Sequence, residues 1–187
     1  MSRTLDIAGV TVSLVAGDVS SEQVAAAVVP MDGALTGSGG VAAAMLAAGG
    51  ESYQRALEAL REEKAPLSAG EVALMATESL RAKNVILSVG PDWRDGYAGE
   101  FVALEHAYHG ALKVAIAEEY ERVAFASIAT GAKAFPDDRA AYVAFNTYVR
   151  ELPVSSGALK EIRFIVPAEK LEIYGLIWDE IARTMIP

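Results

Sequence analysis

Short apolar runs rich in β-branched residues alternate with longer amphipathic stretches along this chain. The runs at residues 4–7 and 10–16 flank Ala8-Gly9 and predict a β-hairpin, since the second run begins with the alternation of a half-exposed strand. Similar runs predict strands at residues 26–29, 71–76, 84–89, 122–128 and 161–166. Helical periodicity and capping residues predict helices at about residues 21–25, 41–48, 52–63, 100–120, 136–152 and 169–185.

The order of these elements, β-β-α-β-α-α-β-β-α-β-α-β-α, predicts an α/β fold. Alternation of strands and helices favours a largely parallel or mixed central sheet with helices on both faces. No repeat, low-complexity tract or linker interrupts the pattern. One domain is therefore expected over residues 1–187.

Composition and charge exclude several classes of protein. Hydrophobic residues occupy 52% of the 187 positions, which does not fit a disordered chain. The net charge of −9 disfavours duplex DNA or RNA as a partner, but it leaves open a nucleotide held locally by backbone amides. The absence of cysteine excludes disulfides, thiolate nucleophiles and cysteine metal sites.

Signals for membranes, export or metals are weak in this sequence. Residues 1–6 lack the apolar core of a signal peptide, and Asp and Gly interrupt the apolar segments before they reach the length of a membrane span. His106 and His109 share a predicted helical face, but their charged neighbours favour a solvated stripe over a metal site. We expect a cytoplasmic protein with no membrane partner and no cofactor, and the oligomeric state stays open.

A glycine-rich loop at residues 32–41 is the strongest candidate for chemistry. It follows a predicted strand and precedes an alanine-rich helix, a layout in which backbone N–H groups can hold an anion, usually a phosphate. Loops at residues 17–20 and 129–136 also follow strands, where ligands of open α/β sheets bind. Asp18 offers an acceptor for an exocyclic amine or a ribose hydroxyl. Taken singly, each loop is more simply a turn and Asp18 a residue that starts a helix, but three such loops together favour a binding site.

Four fragments of the chain carry motifs in a defined order. They are Gly17-Asp18-Val19-Ser20, Gly37-Ser38-Gly39-Gly40-Val41, Asn84-Val85-Ile86-Leu87-Ser88-Val89-Gly90-Pro91-Asp92-Trp93 and Ser127-Ile128-Ala129-Thr130-Gly131-Ala132-Lys133-Ala134-Phe135-Pro136. They resemble four parts of the macro domain, the ADP-ribose-binding family: its Gly-Asp-Ile-Thr turn, its first phosphate loop, its Val-Gly-Pro-x-Trp strand and turn, and its second loop. The likeness extends from Val10 to about Leu171. It implies a three-layer α/β/α fold with a mixed central sheet.

The resemblance also implies roles in ligand binding. Asp18 and Val19 would meet adenine, with Asp18 accepting a hydrogen bond from the exocyclic amine. Amides of the first loop would face the distal ribose and one phosphate, and amides of the second loop would cradle the diphosphate. The implied residues are Ser38, Gly39, Gly40 and Val41 in the first loop and Thr130, Gly131, Ala132 and Lys133 in the second, with Phe135 also counted as ligand-binding.

The chain departs from the family at positions that serve turnover. The family's Asn-Ala-Ala-Asn reads Val29-Pro30-Met31-Asp32 here, and its hydrolases often carry Asp where this chain has Ala42. Lys133 replaces the aromatic residue of the second loop, and Leu87 replaces a strand histidine. Weak or absent hydrolase activity is therefore implied.

Asp32 and Lys133 are candidates for a compensating role. Both occupy positions that face one ligand in the family, so they could form an ion pair, contact a phosphate, or act as a catalytic carboxylate and amine. The leading hypothesis is binding of ADP-ribose or a related nucleotide. The alternatives are an ADP-ribosyl hydrolase that uses Asp32 and Lys133, and an interaction module that has lost the ligand site.

Overall fold

A computed structural model describes residues 3–185 of the chain. Within this range, seven strands form one sheet: β1 (Arg3–Ile7), β2 (Val10–Ala16), β3 (Ala26–Met31), β4 (Val72–Ala76), β5 (Asn84–Val89), β6 (Arg122–Ala126) and β7 (Glu161–Val166). The α-helices of the same range are α1 (Gly40–Lys64), α2 (Glu100–Ala117), α3 (Asp137–Glu151) and α4 (Leu171–Met185). The strands at residues 84–89 and 161–166 have the bounds predicted from the sequence.

The sheet is mixed, as predicted. Its strand order is β1-β2-β7-β6-β3-β5-β4, and the hairpin predicted at the N-terminus is the antiparallel pair of β1 and β2. Strand β4 pairs antiparallel with β5 at the other edge. The four pairs in between, β2 with β7, β7 with β6, β6 with β3 and β3 with β5, are all parallel. The carboxyl ends of the five inner strands therefore meet at one edge of the sheet.

Alternate residues of β3 divide the core into two layers. Ala26 and Val28 pack among buried residues of α2, α3 and α4, whereas Ala27 and Val29 pack on the other face with buried residues of α1. This is the period-2 alternation of a strand buried on both faces. It confirms the three-layer α/β/α arrangement.

Two helix predictions were wrong in extent. The helix expected at residues 21–25 is a single 3-10 turn, Val19–Ser21, because Glu22 already has extended backbone angles. The two helices expected on either side of Gly49-Gly50 form one element, α1, that is kinked where Gly50 adopts φ 59° and ψ −152°. Gly50 tolerates this left-handed φ and lets the helix resume at once, so the glycine pair bends the helix instead of ending it.

None of the helices within residues 3–185 combines the length and the apolar sequence that a bilayer span requires.

Glu100, the first residue of α2, fixes the loop that precedes this helix. Its Oε1 accepts hydrogen bonds from the amides of Arg94, Asp95 and Gly96 at 3.2, 3.3 and 3.2 Å, and its Oε2 accepts one from Ala98 at 2.7 Å. The side chain is almost fully buried. Its own backbone N–H is the largest influence and lowers the pKa of Glu100 to about 2, with the loop amides acting the same way and burial opposing them.

Replacing Glu100 by Gln should destabilise the protein at neutral pH, because the amide would turn an NH2 group towards backbone donors. The folded pKa lies below the unfolded value of about 4.3. The contribution of Glu100 is therefore complete above that value and is lost as the pH falls towards about 2. The free energy of unfolding in urea should differ most between wild type and E100Q near about pH 7, and the two should converge in acid.

The variant E62Q, on an exposed position of α1, is the matched control and should follow wild type. A gap between E100Q and wild type that stays constant through the acid range would contradict the proposed anchoring role.

Candidate functional site

A cleft of about 600 Å³ lies beyond the carboxyl ends of the inner strands. Its walls come from the segments that follow β2, β3, β5, β6 and β7, which is the position at which open α/β sheets bind ligands. The volume falls within the range of small-molecule sites. The residues that line it are Gly17, Asp18, Val19, Pro30, Met31, Asp32, Ser38, Gly39, Gly40, Val41, Ala44, Asp92, Ala126, Ser127, Ala129, Thr130, Gly131, Ala132, Lys133, Ile165, Pro167 and Lys170.

Asp32 stabilises the first loop, residues 32–41, by hydrogen bonds within the loop. Both of its carboxylate oxygens lie 3.1 Å from the Thr36 amide, and Oδ2 accepts a further bond from the Thr36 hydroxyl at 2.7 Å. The Thr36 Oγ1 also lies 3.0 Å from the Ser38 Oγ.

These contacts decide the charge of Asp32. Burial alone would raise its pKa, but hydrogen bonds from the Thr36 hydroxyl and from the amides of Thr36 and Gly37 outweigh burial and lower the pKa below its usual range. Asp32 is therefore an ionised side chain that holds the loop. A carboxylate stabilised as an anion is a weak general base.

The first loop is also fixed at its base by Gly33. A Cβ at this position would lie 2.4 Å from the Leu67 carbonyl oxygen, and the Leu67 amide donates to the Gly33 carbonyl at 2.8 Å. Leu35, two residues later, is completely buried. The loop is therefore formed before any ligand arrives.

The first loop leads directly into α1. Gly39 is the N-cap and Gly40 the first helical residue, and a Cβ built on either of them would meet no protein atom within 4 Å. The amides of a first helical turn have no intrahelical acceptor, and here they adjoin the cleft. Ala42 is buried in the core at 1% exposure and does not line the cleft.

The second loop is held by side chains from outside it. Lys170 donates to the Thr130 carbonyl oxygen at 2.8 Å and to Asp137 Oδ1 at 2.7 Å. Beneath the loop, the Ser127 hydroxyl bonds both the Thr130 hydroxyl, at 2.8 Å, and the Tyr174 hydroxyl. Burial raises the pKa of Tyr174, so its phenol stays neutral and can serve this network as donor or acceptor.

The structure brings together most of the residues implied by the sequence. Asp18 and Val19 from one loop, residues 38–41 of the first glycine-rich loop and residues 130–133 of the second loop all line the same cleft. Phe135 does not line it. Its ring is buried against Trp93 and Phe101, at centroid distances of 4.7 and 5.5 Å.

Asp18 serves as a helix cap and also faces the cleft. Its Oδ1 accepts from the Ser20 amide at 2.9 Å, and its carbonyl accepts from the Ser21 hydroxyl at 2.8 Å. The residue is exposed and lines the cleft beside the buried Val19. The capping interpretation and the ligand interpretation are thus compatible.

Asp32 and Lys133 form no ion pair within the described residues. Lys133 Nζ instead lies 3.2 Å from Asp92 Oδ1, and Asp32 is engaged with Thr36. Of the roles considered for Asp32 and Lys133, the ion pair is not formed, because Lys133 pairs with a carboxylate of the β5–α2 connection.

Asp92, Ser127 and Lys170 line the cleft without having been predicted as site residues. Each follows, or is the first residue beyond, the end of an inner strand, and that position is the signal that could have found them. His109 belongs elsewhere: its Nδ1 lies 3.1 Å from Glu151 on α3. Among residues 3–185, no group of three or more His, Asp or Glu side chains is arranged to hold a metal ion.

Comparisons with known proteins agree with this geometry. The family model described as "Macro domain" matches residues 28–144. A macro domain-containing protein of Caldanaerobacter subterraneus subsp. tengcongensis is 34% identical over 171 residues, which are 91% of this chain and 97% of that protein. An O-acetyl-ADP-ribose deacetylase of Citrobacter koseri is 37% identical over 131 residues, covering 70% of this chain and 74% of its own length. The Oceanobacillus iheyensis macrodomain with ADP superimposes with a TM-score of 0.90 at 25% identity, covering 99% of this chain and 98% of that one.

Replacing Thr36 by Val removes the hydroxyl with little change in shape. We expect the pKa of Asp32 to rise towards its usual value and the free energy of unfolding to fall by about 1 kcal/mol, since one hydrogen bond to the carboxylate is lost. Carbon-13 NMR titration of the Asp32 carboxyl and urea unfolding measure the two effects. T36S keeps the hydroxyl and should resemble wild type; equal Asp32 titration in T36V and T36S would show that the bond does not hold the charge.

Proposed function

This chain belongs to the macro domain family, and we propose that it binds ADP-ribose or a closely related nucleotide in the cleft at the carboxyl edge of its sheet. The observation that carries the proposal is the convergence of two preformed loops of small residues on one cleft of about 600 Å³. Most residues of the two loops that line the cleft are small and leave its volume open, which argues against an interaction module whose site has been filled.

The two loops would hold the diphosphate through backbone amides. Gly39, Gly40 and Gly131 present no side chain, and a Cβ at each of them would stand in open space. A phosphate can therefore approach the backbone closely, and the first loop adds the positive end of α1. This contact is local, so the net charge of −9 does not oppose it.

The adenine would lie at the end of the cleft that Asp18 and Val19 form. Val19 is buried, and Ile165 and Pro167 of the β7 end add apolar surface to the same lining. An apolar slot suits a purine face, and a carboxylate at its rim can accept from an exocyclic amine. Asp18 would supply that acceptor while its Oδ1 continues to cap the 3-10 turn.

We further propose that turnover is weak or absent. Asp32 is committed to Thr36 with a lowered pKa, and Ala42 is buried away from the cleft. Neither residue supplies a base ready to activate water. The second candidate is hydrolysis of an ADP-ribose ester, which is favoured by the naming of similar proteins as O-acetyl-ADP-ribose deacetylases.

Calorimetric titration with ADP-ribose tests the binding site. G39A and G131A should weaken binding at least about tenfold, because a methyl group would hold the phosphates away from the amides. Their melting temperatures should stay close to wild type, since the added Cβ meets no protein atom within 4 Å. G110A, on α2 away from the cleft, is the control and should leave affinity unchanged.

Wild-type protein that binds neither ADP-ribose nor ADP at millimolar concentration would overturn the proposed function. Unchanged affinity in both G39A and G131A would instead show that the backbone amides of these loops do not hold the phosphates and that other groups bind the ligand.

Release of acetate from O-acetyl-ADP-ribose distinguishes binding from catalysis. We expect wild type to accelerate the reaction little over buffer, with D32N and K133A giving the same slow rate. Rapid turnover by wild type would establish the hydrolase instead, and a fall of about a hundredfold or more in D32N with unchanged affinity for ADP-ribose would identify Asp32 as its base.

A further inference from the structure

An ion pair lies in the wall of the cleft. Lys133 Nζ of the second loop lies 3.2 Å from Oδ1 of Asp92, which follows β5, and both residues line the cleft. The neighbouring backbone is tied together as well, since the Trp93 amide donates to the Lys133 carbonyl at 2.8 Å. The backbone segments that carry the two charges are therefore hydrogen-bonded to each other beside the ion pair.

The two partners are held very differently. The Lys133 side chain is 22% exposed, whereas the Asp92 side chain is 78% exposed. Water competes strongly for a carboxylate that is so exposed, and ion pairs of this kind contribute little to stability. Asp92 can consequently leave Lys133 at little cost, provided that another anion takes its place.

Lys133 is the cation in the cleft that is able to change partner. The other lysine of the described lining, Lys170, is bound to both Asp137 and the Thr130 carbonyl. The acidic side chains of the lining other than Asp92 are Asp18 and Asp32, which serve as a helix cap and a loop anchor. The positive charge of Lys133, which would attract an incoming phosphate, is thus already neutralised by Asp92.

We infer that Lys133 is a specificity-determining residue and that Asp92 is its internal counter-ion, which the ligand's phosphates must displace. This inference rests on the proposed binding of a nucleoside diphosphate in the cleft. Asp92 competes with phosphate for the same ammonium group, so a phosphorylated ligand gains only the difference between its own contact with Lys133 and the contact that Asp92 gives up, whereas a neutral nucleoside is unaffected. The affinity of wild type for phosphorylated ligands is accordingly lower than the loops alone would give.

Titrations of four variants with ADP and with adenosine test this exchange. D92N should bind ADP about three- to tenfold more tightly than wild type, because Lys133 is released from its competitor. K133M should bind ADP about tenfold more weakly, and K133R should restore most of the loss. The double variant D92N/K133M should match K133M, since the gain from D92N requires the Lys133 charge. Adenosine affinity should be the same in all of them.

D95N is the matched control, because Asp95 lies on the same connection but caps the Tyr97 amide at 3.0 Å instead of pairing with Lys133. Its affinity for ADP should equal that of wild type. Melting temperatures establish that each variant is folded before it is titrated.

Two results would overturn the inference: ADP affinity that is unchanged or weaker in D92N, or a gain in D92N that persists in D92N/K133M. Failure of wild type to bind ADP or ADP-ribose at all would refute the proposed function itself. Binding by wild type with no gain in D92N refutes the counter-ion role alone.

Discussion

Parallel pairing of the five inner strands is the constraint on which the rest of the structure depends. Because β2, β7, β6, β3 and β5 run in one direction, the loops that leave their carboxyl ends must share a single edge of the sheet. Backbone N–H groups beyond the strand pairings need an acceptor from elsewhere. The cleft lies where the segments that follow every inner strand come together.

The loops at this edge are held by polar side chains, and this rigidity would prepare the cleft for the proposed ligand. Asp32 organises the first loop through Thr36, Lys170 fixes the second through the Thr130 carbonyl, and Glu100 holds the connection after β5. A site ordered in advance loses less conformational entropy on binding. The same commitments keep Asp32 from acting as a free base, so the side chain that shapes the loop is poorly suited to proton transfer.

Most of the fold follows from local patterns, whereas contacts across the edge do not. Strands β5 and β7 were predicted with their observed bounds, because short runs rich in β-branched and other apolar residues are ended by Gly90-Pro91 and Pro167. The glycine-rich loops were recognisable because runs of small residues directly follow predicted strands. The kink at Gly50 could not be predicted, since a glycine pair is compatible with either a helix end or a kink. Packing of both halves of α1 decides between the two. The pairing of Lys133 with Asp92 joins loops 41 residues apart, on either side of β3, and no sequence period encodes it.

The cradle around Glu100 has a meaning beyond the stability of α2. Four amides of one short connection converge on a single carboxylate, so this chain already contains a complete anion receptor made only of backbone, occupied by its own side chain. The bound anion is the Glu100 carboxylate, which belongs to the same chain and cannot dissociate from these amides. The Glu100 carboxylate thus fixes the connection that carries Asp92, and the proposed function would use the same backbone chemistry at the ends of β3 and β6 for an anion that comes from outside.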